Sequence, residues 1–125
     1  MTPFAKSMIL KAQDSIDTAK AHLDNPEQHL TVGYNLAQAV EHMLKALLAL
    51  REIEFPNGEE SHDLDALMAL LEEDNMAAIS SHADVVELTP YNDTRATIDP
   101  DERLDLKEWL GYVEDLKGLV KESVT

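Results

Sequence analysis

The chain contains no cysteine. That removes a disulfide framework, a thiolate metal site and a cysteine nucleophile together. Glycine is scarce, at 4 residues in 125, and aromatic residues make up only 5%. Both shortages argue against a β-sandwich, which needs turns and strand-forming side chains. No run approaches the roughly 18 consecutive apolar residues of a membrane span. The opening MTPFAKSMIL lacks a basic segment followed by an apolar one. The expected compartment is therefore the cytoplasm, without membrane contact. Lys and Arg are missing altogether between Glu52 and Thr94, against twelve Asp or Glu. At a formal charge of −15, direct DNA binding is not expected, because cations must displace counterions from phosphates. The acidity suits a solvated face, a basic partner or a saline habitat, and charge alone does not separate the three.

What is present is helix. Ala and Leu supply much of the 44% apolar content, and both favour helix. The organising stretch is Pro26 to Ile53. From Leu30 to Leu50 it carries only two charged side chains, Glu41 and Lys45. Its apolar positions cover more than half the circumference, which marks a helix that others cover on several sides.

The rest of the chain reads in order. Thr2 and Pro3 open a first helix running to about Leu23, a hydroxyl cap followed by proline. Its apolar stripe is Phe4, Met8, Ala12, Ile16, Ala19 and Leu23. Asp24-Asn25-Pro26 breaks it. The central helix stops at Phe55-Pro56-Asn57-Gly58. Ser61 is the expected cap of a third helix, SHDLDALMALLEE, with His62 and Asp63 in its first turn. A short fourth helix, MAAISSHADVVEL, follows, with Met76, Ile79, Ala83 and Val86 as its stripe. Thr89 to Pro100 is the longest loop. Asp99 caps the last helix, with Pro100 at its first position and Glu102 closing a capping box. Its core face is Leu106, Trp109, Leu110, Val113, Leu116 and Val120. Short links favour antiparallel neighbours. The expectation is one all-α domain over residues 1–125: an up-and-down four-helix bundle with an additional short helix before the last.

Several features in order resemble the HEPN domain family of small helical bundles. They are the Ala-rich YNLAQAVEHMLKALL with Glu41 and Lys45, then His62-Asp63-Leu64-x-x-Leu67, then Tyr91-x-x-x-Arg95 leading into the last helix. The resemblance implies a dimer that partners a minimal nucleotidyltransferase-like protein or a toxin–antitoxin protein, with nucleotide binding open. Many members are ribonucleases with Arg followed, four to six residues on, by His. Here Arg51, Arg95 and Arg103 are followed at those positions by Pro56-Asn57-Gly58, Pro100-Asp101-Glu102 and Glu108-Trp109-Leu110. The expectation is a non-catalytic bundle acting by protein–protein association. The alternative is a ribonuclease or nucleotide-handling enzyme with a rearranged site.

The candidate ligand-binding residues are Tyr34, Glu41, Lys45, His62, Tyr91 and Arg95. Glu41 and Lys45 lie one turn apart, with Gln38 and Tyr34 on a similar azimuth. They read either as a helical ion pair or as a polar stripe lining a groove, with Lys45 available to a phosphate. Arg95 either pins the long loop to an acid or presents its guanidinium to an anion. No catalytic residue, cofactor or metal site is expected. The five histidines are scattered, and the one Glu-x-x-His, at Glu59 and His62, straddles a turn.

Overall fold

The computed structural model describes residues 2–56, 58–93 and 98–124, and these form helices and no strand. Helix α1 spans Pro3–His22. The Thr2 hydroxyl accepts the Ala5 N–H at 3.1 Å, satisfying one of the donors a helix start leaves unpaired. Ala5, Met8, Ala12, Ile16 and Ala19 face inward. Phe4, expected in that stripe, is 44% exposed. Ala5 holds the inward place, and Phe4, rotated one residue round, lies against Phe55 with ring centroids 5.9 Å apart.

A 3₁₀ turn, Pro26–Gln28, capped by Asn25, leads into α2, His29–Leu50. Of its 22 residues, 12 are buried. Helix α1, the two helices that follow α2 and a long 3₁₀ stretch all pack on it. The central position read from its composition is therefore observed. Its end is abrupt: Glu52 takes a left-handed φ of 59°, and the chain then passes into Phe55-Pro56.

Helix α3 spans Leu64–Glu73. Its cap is Asp63, which accepts from the Asp65 and Ala66 N–H groups, and not Ser61 as expected. The Ser61 hydroxyl is engaged elsewhere, donating to Gly58 O at 2.7 Å inside a 3₁₀ turn, Gly58–His62. His62 thus precedes the α-helix.

The short fourth helix is instead a 3₁₀ stretch, Ala77–Asn92, kinked at His82. It runs on through Thr89-Pro90-Tyr91, part of the expected loop. Its buried apolar residues are Ile79, Val85, Leu88 and Tyr91, which keep the period of three of a 3₁₀ helix. Ala83, placed inward by an α-helical period, is exposed.

The last helix also starts later than expected. Asp99 caps only a single 3₁₀ turn, Pro100–Glu102. Arg103 is extended, and α4, Leu106–Ser123, begins under a second cap, Asp105. Leu106, Val113, Leu116 and Val120 are buried; Trp109 and Leu110 are partly buried. No helix among the described residues is long and apolar enough to cross a membrane.

Candidate functional site

Glu41 sits midway along α2 and is 3% exposed. A carboxylate there must be paired, because burying an uncompensated charge is costly. Three groups from three segments meet that need, and a fourth supports them. Lys45, one turn on, donates to Oε2 at 2.8 Å. His62 Nδ1 approaches Oε1 at 2.7 Å. Asn92 Nδ2 donates to the same oxygen at 3.0 Å and to His62 O at 3.1 Å. Gln38 completes the set by donating to Asn92 Oδ1 at 2.7 Å. Lys45 also donates to Ser61 Oγ at 3.1 Å. One buried acid thereby ties α2 to the 3₁₀ turn before α3 and to the end of the long 3₁₀ stretch.

Burial pushes the Glu41 pKa up, but hydrogen bonds from Lys45 and His62, the Lys45 charge and Asn92 outweigh it, and the carboxyl titrates below its usual range. An ionised carboxylate only accepts, so His62 Nδ1 carries the proton in this contact. Nε2 is then the ring nitrogen left outside this contact, on a side chain that is 48% exposed. The Lys45 ammonium has three N–H groups, and Glu41 and Ser61 occupy two of them. The chemistry that the cluster leaves unused is thus one imidazole nitrogen and one ammonium N–H. Among the described residues, no group of three or more His, Asp or Glu could hold a metal ion.

The structure gathers Glu41, Lys45 and His62 and places the tyrosines apart. Tyr91 is 5% exposed. Its oxygen accepts the Leu104 N–H at 3.0 Å and lies 2.8 Å from His29 Nε2. With Leu104 as donor, the hydroxyl hydrogen is free to go to His29. Burial, then the Arg103 charge, lowers the His29 pKa and favours the neutral ring that accepts it. The Tyr91 ring lies on Gly33, where an added Cβ would come within 2.1 Å of it. Tyr34 is half-buried. With Leu30, Pro90, Tyr91 and Ile98 it lines a cleft of about 220 Å³. Arg95 lies outside the described residues.

Asn92 and Ser61 belong to the cluster and are not among the site residues that the sequence suggests. Asn92 follows Tyr91 in a stretch read as loop, and only the period-three register reveals that the two point differently. A further polar group lies on the same helix. Among the described residues, His42 Nδ1 is buried with no hydrogen-bond partner. Burial lowers the His42 pKa; Glu41 pulls it up, and Lys45 and Lys11 push it down.

No curated protein and no solved structure matches the chain. The family model of the HEPN domain matches residues 5–123, and so the chain belongs to the HEPN domain family.

Proposed function

We propose that this protein is a non-catalytic HEPN-type, up-and-down four-helix bundle that works by protein–protein association. It pairs with a second copy of itself and with a nucleotidyltransferase-like or toxin–antitoxin protein. The observation that carries the reading is how Glu41 is used. Both its oxygens are taken by Lys45, His62 and Asn92, so the carboxylate serves as a tie between segments and is not free to activate a nucleophile. The missing Arg-to-His pair points the same way. A nucleotide would meet the Lys45 and His62 edge of the cluster.

The test is purification of the tagged chain from its native cell with identification of what accompanies it, together with its mass in solution. A nucleotidyltransferase-like or toxin protein as the main companion supports the reading. A strict monomer at tens of micromolar, with no companion, ends it. One observation favours a second reading, a ribonuclease with a rearranged site: His62 is oriented by Glu41 and keeps Nε2 outside that contact, as a general base requires. RNA cleavage by the purified chain, lost in His62→Gln, would favour it; RNA left intact across pH and metals would exclude it.

A further inference from the structure

Three segments meet at the Tyr91 hydroxyl. Helix α2 reaches it through its first residue, His29; the long 3₁₀ stretch supplies Tyr91 itself; the extended link before α4 reaches it through the Leu104 N–H. The hydrogen bonding closes for only one charge state of His29. The phenol oxygen accepts from Leu104 N–H, and the phenol hydrogen goes to His29 Nε2, 2.8 Å away. A protonated ring has no lone pair at Nε2 and only donates. The oxygen would then face two donors, and its own hydrogen would have no acceptor in a side chain that is 5% exposed. Buried donors left unpaired are rare because they are costly.

The surroundings give the proton a way in and the phenol a way out. His29 is half-buried and lines a second cleft, of about 210 Å³, with Pro26, Leu104 and Lys107. Tyr91 lines the cleft on its other side, beside Tyr34. The charged groups about the ring are Arg103 and Asp105 from the link before α4, Lys107 from α4, and Asp24 from the corner between α1 and α2. Lys107 and Asp24 hold each other at 3.0 Å, and Asp105 caps α4 by accepting the Lys107 N–H. The Arg103 charge opposes a second positive charge on His29. The residue after Tyr91 is Asn92, which holds Glu41 and His62 O.

We propose that His29 is a proton-operated latch: on taking up a proton it expels the Tyr91 phenol, which turns into the Tyr34 cleft, releases the Leu104 N–H and slackens the neighbouring Asn92 tie to Glu41. The device belongs to the single chain, whatever that chain associates with. Burial, then Arg103, holds the His29 pKa below its ordinary 6.5. The latch is therefore complete above pH 6.5 and is lost as pH falls through the lower folded value. Glu41 stays ionised throughout, because its carboxyl titrates below 4.5. Mild acid thus acts on the Glu41–Lys45–His62 cluster through Tyr91 and Asn92, without discharging the acid at its centre.

Amide exchange at Leu104, corrected for its intrinsic rate, reads the latch directly. Between about pH 7.5 and about pH 5 wild-type protection should fall about ten-fold, the scale of one lost buried hydrogen bond. His29→Gln keeps an acceptor for the phenol and cannot take up a proton, so its protection should stay level. Arg103→Gln removes the opposing charge and should move the midpoint to higher pH, a change that a merely structural His29 would not show. The Asn92 side-chain amide resonances should shift with the Leu104 midpoint and follow it in Arg103→Gln. Circular dichroism confirms that each variant folds; if His29→Gln does not, the Arg103→Gln midpoint decides. Level wild-type protection, the same fall in His29→Gln, or an unmoved midpoint in Arg103→Gln overturns the latch. Separate midpoints for Leu104 and Asn92 overturn its link to the cluster. None of these outcomes bears on association, which solution mass decides.

Discussion

Replacing Gly33 by Ala should destabilise the protein, although helix propensity predicts the reverse. In a helix interior alanine is favoured over glycine by about 1 kcal/mol. At position 33 the new Cβ would stand 2.1 Å from Tyr91 Cδ1. The ring cannot simply yield, because its hydroxyl is held by His29 and Leu104 N–H and the side chain is 5% exposed. Overpacking of this kind costs about 1–3 kcal/mol. Moving the ring also weakens two hydrogen bonds of about 1 kcal/mol each. After the propensity gain, the net expectation is a loss of about 2–4 kcal/mol. For a domain of this size that is a fall in Tm of roughly 8–15 °C. Urea unfolding followed by far-ultraviolet circular dichroism measures it. Gly118→Ala is the control: it lies in α4 with nothing within 4 Å of its Cβ position, so propensity alone should act and stabilise by up to about 1 kcal/mol. In a Tyr91→Ala background the sign at Gly33 should reverse. Wild-type stability or better in the single Gly33→Ala variant refutes the argument.

Three further outcomes follow from the polar cluster and the helix caps. Lys45→Met leaves Glu41 buried with its cation gone and should cost about 3–5 kcal/mol; the double variant Glu41→Gln/Lys45→Met should recover much of that in the same urea assay. The folded pKa of Glu41 lies below its unfolded value of 4.5. Its contribution is therefore complete above pH 4.5 and is lost as pH falls through the lower folded value, so Glu41→Gln should flatten the acid limb of a stability–pH profile. Asp63→Ala removes the cap of α3 and should cost about 1 kcal/mol. Ser61→Ala should leave α3 helicity intact, because Ser61 is not its cap; equal loss of α3 amide protection in both variants would contradict the assignment.

The helices bounded by strong punctuation were legible. Thr2-Pro3, Asn25-Pro26 and Phe55-Pro56 combine a cap or turn residue with a proline, and backbone sterics then leave little choice. The start of α4 was not legible, because Asp99-Pro100 and Asp105 are both good caps and only packing decides which one opens the long helix. The stretch Ala77–Asn92 misled for a different reason. Over so few turns an apolar period of 3 and one of 3.6 share several positions, and Ile79 fits both. In the site, Glu41 and Lys45 could be paired from spacing alone. Adding His62 required the turn Gly58–His62 to fold back on α2, and adding Asn92 required the 3₁₀ register, neither of which local sequence dictates.

That register carries its own consequence for how the molecule tolerates change in length. Winding at three residues per turn sends successive side chains 120° apart, so Tyr91 goes to the Leu104 end of the chain while Asn92 turns to Glu41. One residue added or deleted between His82 and Pro90 would rotate both at once. An added residue would aim the phenol at the acid, and a deleted one would put the amide in the buried place of the phenol. Insertions harmless in an ordinary surface loop would here disconnect the last helix and the charged cluster in a single stroke.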